Sequence, residues 1–112
     1  MDYKDYNENL MKVMGELAKE IPETMQGFNK LHDSSVKTEK ISGKTKQLIA
    51  LGIAITVRCN GCISFHIHEA LEAGASREEI VETIGVAVMM GGGPSVVYGT
   101  EAFEALNQFQ NK

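Results

Sequence analysis

The chain has no broad basic stretch. Its 11 Lys and Arg stand against 15 Asp and Glu, for a net charge of −4 and a pI near 5.3, and the two signs are interleaved. With no basic footprint to meet a phosphate backbone or an anionic bilayer, nucleic acid and membrane are set aside as partners. A long apolar run is also missing. The longest, Leu48–Val57, has ten residues, well short of the ~20 that a membrane-crossing helix needs. The opening residues, MDYKDYNENL, are acidic and polar, without the basic region, apolar run and cleavage site of a secretory signal. A cytoplasmic protein is expected.

Cysteine is scarce, with two residues, and both lie in one C-x-x-C at Cys59 and Cys62. A bridge over so short a loop constrains little unfolded-chain entropy, so in a reducing compartment such a pair is expected to do chemistry rather than to staple the fold. No internal repeat or low-complexity segment is present. The GGGP of residues 91–94 lacks the spacing and the Gly-Lys-Ser/Thr ending of a phosphate loop and reads as a helix break.

At 112 residues, 43% hydrophobic and 23% charged, the chain is expected to fold as a single domain over 1–112. Leu10, Val13, Met14 and Leu17 recur at helical spacing and predict a first helix over roughly 6–20. Pro22 suits the first turn of a second helix, whose short apolar face (Met25, Phe28, Leu31) predicts an end near His32. Ser42 is a plausible N-cap for a third helix, where the alanines and the KTKQ lead-in favour helix over strand across Leu48–Val57. Cys59 or Asn60 opens a fourth, carried to Gly74. Ser76–Glu79 is a capping box that starts a fifth, and Pro94 starts the last. The expected fold class is all-α, about six helices. The segments 48–57 and 84–90 are apolar on nearly every side, so neighbouring subunits are expected to cover them. The methionines, Met89 and Met90 included, read as filling gaps in the core.

Residues 58–70, RCNGCISFHIHEA, hold both cysteines and two of the three histidines. The four-residue step from Cys62 to His66 returns to the same helical face, whereas His68 points to the opposite side. Three readings compete. A closed zinc site needs four convergent ligands and finds three on this element, so His32 or another subunit would have to supply the fourth. A packed helix would treat the cysteines as small hydrophobes and His66 as a satisfied core histidine. A redox pair asks least of the chain: the helix N-terminus favours thiolate at Cys62, His66 exchanges its proton, and Cys59 can resolve an oxidised Cys62 as a disulfide. His32 and His68 are expected to make polar or subunit contacts.

The stretch KTKQLIALGIAITVRCNGCISFHIHEALEAGASREEIVETIGVAVMMGGGP, within 44–106, resembles the AhpD-like alkylhydroperoxidase branch of the carboxymuconolactone decarboxylase superfamily. The resemblance implies a compact all-α domain that assembles as a homo-trimer or homo-hexamer. It also implies a thiol-dependent peroxidase or disulfide reductase acting on hydroperoxides, with Cys62 peroxidatic, Cys59 resolving and His66 in the proton relay. No cofactor and no metal are expected. The implied reductant is a dithiol such as lipoamide or a thioredoxin-like protein. In one place the chain departs from the pattern: twelve residues before Cys59, where the family carries a relay glutamate, stands Gln47. A carboxamide can orient a partner but cannot take up its proton. Either His66 acts alone, or a carboxylate such as Glu39, Glu69 or one from another subunit substitutes. The alternatives are a non-catalytic oligomeric redox switch and a decarboxylase-like lyase.

Overall fold

In the computed structural model, which describes residues 1–110, Asp2 caps the first helix by accepting a hydrogen bond from Asp5 N–H at 3.1 Å. Helix α1 (Tyr3–Glu20) is followed by α2 (Pro22–Val36), α3 (Gly43–Thr56), α4 (Asn60–Glu72), α5 (Arg77–Gly91) and α6 (Gly93–Gln110). All regular structure among the described residues is helical.

The stop and start signals act where the side-chain chemistry predicts. Ser42 Oγ accepts from Thr45 N–H and opens α3. Ser76 and Glu79 form the reciprocal capping box of α5, Oγ accepting from Glu79 N–H at 3.1 Å and Glu79 Oε1 from Ser76 N–H at 2.8 Å. Gly92, with φ of 69° and ψ of −148°, separates α5 from α6. That backbone conformation is open essentially to glycine alone, which is why the GGGP segment breaks the helix.

The core is built by α3 to α6, with α3 packed on both α4 and α5, and α6 closing against α4 and α5. Leu51, Ile55, Ile63, Ile67, Ile80 and Leu106 are fully buried, each contributing about 1.5–3 kcal/mol by burial of apolar surface. At the edge, α1 packs on α4 and α6.

Three expectations are corrected. α1 starts at Tyr3 rather than near residue 6, because Tyr3 is itself core, with its hydroxyl 3.1 Å from Glu101 Oε1. α2 continues to Val36 instead of ending near His32. Its apolar face stops at Leu31, but Ser35 Oγ donates to Leu31 O at 2.7 Å and the helical backbone carries on over exposed polar residues. Met89 and Met90 fill no core gap: they are 72% and 73% exposed, on the outer face of α5.

Among the described residues, no helix is long and apolar enough to cross a membrane. Several apolar side chains of α3 and α5 nevertheless face outward. Ile53, Val57, Val86 and Met90 are all more than half exposed, and they line a groove of about 610 Å³ between the two helices.

Candidate redox site

The site begins in the tight turn between α3 and α4. Arg58 takes a left-handed conformation, φ of 61°, and its N–H reaches Ile55 O at 3.2 Å while Cys59 N–H reaches Ala54 O at 3.1 Å. These bonds finish α3 and turn the chain so that Cys59 stands as the N-cap of α4. Its Sγ accepts from Cys62 N–H at 3.2 Å. The two sulfurs are bonded to each other, 2.14 Å apart, with Cα atoms separated by 5.2 Å. The pair therefore sits on the positive end of α4, where free amides stabilise sulfur as thiolate once the bond is reduced. Cys62 leans against the hydrophobic core.

One turn along α4, His66 donates from Nδ1 to Gln47 Oε1 at 2.8 Å. Gln47 is buried on α3, so the packing of α3 on α4 fixes this bond. An amide oxygen only accepts, which puts the ring proton on Nδ1 and leaves Nε2 with its lone pair. Burial pulls the His66 pKa below its ordinary value of 6.5. His32 pulls in the same direction, and Glu69 opposes them. His66 is thus held as a neutral base.

The structure brings a further side chain to this place. His32, from α2, stacks on His66 with ring centroids 6.5 Å apart, and Phe65 is edge-on to both rings at 5.6 and 5.0 Å. His32 Nδ1 donates to Asp33 Oδ1 at 3.2 Å, and its Nε2 is buried without a hydrogen-bond partner among the described residues. From the sequence, His32 is expected to make a polar or subunit contact, or to serve as the fourth ligand of a zinc site. It lies 34 positions before His66, and spacing carries no signal for a meeting between separate helices.

His68 is on the other side of α4, as helix geometry requires. It contacts Glu69 Oε2 at 3.2 Å and Glu72 Oε1 at 3.6 Å, and its ring stands 5.4 Å from Phe109. The two carboxylates considered as substitutes for a relay acid are engaged elsewhere: Glu39 pairs with Lys37 at 3.3 Å, and Glu69 with His68. Among the described residues no three His, Cys, Asp or Glu side chains are grouped to hold a metal ion. The apolar groove of α3 and α5 lies apart from this chemistry, and none of Gln47, Cys59, Cys62 and His66 lines it.

The surrounding fold is shared with known proteins. An uncharacterized protein of Cupriavidus necator is 30% identical over 95% of this chain and 96% of its own length. One of Haemophilus influenzae is 36% identical over 93% and 92%. Among solved structures, apo-lpg0406 of Legionella pneumophila, a carboxymuconolactone decarboxylase family protein, superposes with a TM-score of 0.93 at 39% identity, covering 97% of both chains. The Thermotoga maritima family protein TM1620, for which an antioxidative role is suggested, gives 0.82 at 26% identity over 91% and 90%. The family model matches residues 22–105, so it takes in α2 as well as all but the last residue of the 44–106 stretch. The chain belongs to the carboxymuconolactone decarboxylase family.

Proposed function

We propose that this chain is a thiol-dependent peroxidase or disulfide reductase of the AhpD-like type, acting on hydroperoxides in the cytoplasm. The observation that carries the reading is the Cys59–Cys62 disulfide at the α4 N-terminus with His66 one turn on, held as a neutral base by Gln47. The antioxidative role suggested for TM1620 supports it.

In the reduced protein His66 takes the proton of the Cys62 thiol, and the electron pair stays on sulfur. The thiolate attacks the terminal oxygen of R–O–O–H, the O–O bond breaks, and Cys62 becomes a sulfenic acid. The alkoxide leaves and receives the proton held by the relay. Cys59 then displaces water from the sulfenic acid to form the disulfide. A dithiol, such as reduced lipoamide or a thioredoxin-like protein, returns two electrons and two protons by thiol–disulfide exchange. The assay is hydroperoxide consumption coupled to dihydrolipoamide. Turnover lost in Cys62→Ser supports the reading, and no turnover by the wild-type protein rejects it.

One observation favours a second reading. Gln47 is neutral and cannot drain the proton from His66, which fits a redox switch that forms its disulfide reversibly with little turnover. Oxidation and re-reduction without sustained consumption of hydroperoxide would select it.

The exposed groove of α3 and α5 is covered, in this proposal, by further copies of the chain in a homo-trimer or homo-hexamer. Leaving Ile53, Val57, Val86 and Met90 in water is unfavourable for an isolated protomer.

A further inference from the structure

His66 is anchored through a carboxamide, 2.8 Å from Nδ1, so any charge it gains has no counterion there. The ionisable groups around it are Glu69 on its own helix, and His32 with Asp33 on α2. Glu69 already accepts from His68 Nδ1 at 3.2 Å. His32 and Asp33 form a joined pair: Asp33 Oδ1 accepts from His32 Nδ1, which places the ring's lone pair on Nε2. That nitrogen is buried and without a partner among the described residues. A buried acceptor with no donor is costly, and on a ring stacked against His66 it points to a proton that arrives in another state.

We infer that His32, with Asp33 as counterion, receives through His66 the proton that leaves Cys62, so that two stacked imidazoles rather than one serve the thiol. The Cys62 S–H bond breaks, the electron pair remains on sulfur, and the proton passes from His66 to His32 Nε2. Stacked rings do not hydrogen-bond face to face, so a bridging hydroxyl, from water or the hydroperoxide, carries it between them. The resting place is favoured by charge: His32 has a carboxylate oxygen at 3.2 Å, whereas the anchor of His66 is a neutral amide. His32 acts through His66 and is a positioning residue for the proton. This deepens the redox reading of Cys62, but it does not depend on hydroperoxide being the substrate.

The test is the pH dependence of Cys62 alkylation by iodoacetamide in reduced protein on a Cys59→Ser background, where one thiol reacts. His32→Gln is expected to move the midpoint up by about one pH unit, about tenfold slower alkylation at neutral pH. Asp33→Asn, at a position 81% exposed where packing is not disturbed, moves it the same way by less. Adding Gln47→Glu to His32→Gln gives His66 a carboxylate of its own and brings alkylation back to within about twofold of the background protein. An unmoved midpoint in His32→Gln or Asp33→Asn overturns the inference. So does a His32→Gln shift that Gln47→Glu leaves in place, which would mean His32 only supports the packing of α2. Hydroperoxide consumption, followed separately, keeps the two ideas apart: an intact alkylation pattern without peroxide turnover rejects the peroxidase and leaves the two-ring relay standing.

Discussion

Gln47 Oε1 accepts a 2.8 Å hydrogen bond from His66 Nδ1, tying α3 to α4 at the one place where the neutral imidazole needs orientation. The bond settles the tautomer but leaves the site one charge short of a proton-exchanging pair. Gln47→Glu should therefore raise the His66 pKa and, in the proposed peroxidase, raise the rate at neutral pH by about three- to tenfold, in line with a shift of up to about one unit. Stopped-flow oxidation of the reduced protein measures it. An unchanged rate would remove the view that the relay is attenuated.

The lowered pKa of His66 has a consequence for stability. Unfolded histidine titrates at its ordinary 6.5, and the folded one below it, mainly through burial and then through His32. Between the two pKa values the unfolded chain binds more protons than the folded one, so stability rises with pH. The contribution is present above pH 6.5 and is lost as pH falls below it, until folded His66 itself becomes protonated. Thermal unfolding from pH 7.5 down to 5 should show the decline, and His66→Gln should flatten it. An equal slope in the variant would assign the acid sensitivity to other groups.

Arg58 holds φ of 61° directly before Cys59. A side chain in that region costs about 1–2 kcal/mol, and glycine relieves it while gaining unfolded-state entropy of roughly 0.5–1 kcal/mol. Arg58→Gly should be neutral to about 1 kcal/mol more stable in urea unfolding. A loss of more than about 1 kcal/mol would mean that the guanidinium makes a stabilising contribution of its own.

Ile53 and Val86 both line the open groove, 57% and 58% exposed. If copies of the chain cover it, Ile53→Asp should convert the assembly to protomers in light scattering after size exclusion, because an unpaired carboxylate in an apolar interface is strongly disfavoured. A wild-type protein that is already monomeric would reject the assembly, and an Ile53→Asp assembly of unchanged mass would place its interface elsewhere.

Much of this was legible in the residues. Ser42, the Ser76–Glu79 box and the glycines before Pro94 mark helix ends by local hydrogen-bonding and backbone preferences, and those signals survive in the fold. The four-residue step from Cys62 to His66 is equally local. What remained hidden is set by tertiary packing. The end of α2 at Val36 was missed because apolar periodicity marks the packed face of a helix, not the extent of its hydrogen bonding. His32 beside His66 depends on how α2 lies against α4, and no spacing within one helix encodes it. Met89 and Met90 read as core because hydrophobicity alone does not say whether a side chain packs within its own chain or waits for another surface.

The division of labour between the two cysteines is the central claim, and it is tested most directly by trapping the first oxidation product. Reduced Cys59→Ser protein, mixed with one equivalent of hydroperoxide and dimedone, is digested and analysed by mass spectrometry. A dimedone adduct at Cys62, absent without hydroperoxide, is the predicted result. No adduct at Cys62, or an adduct at Cys59 in the reciprocal Cys62→Ser protein formed just as fast, would contradict it.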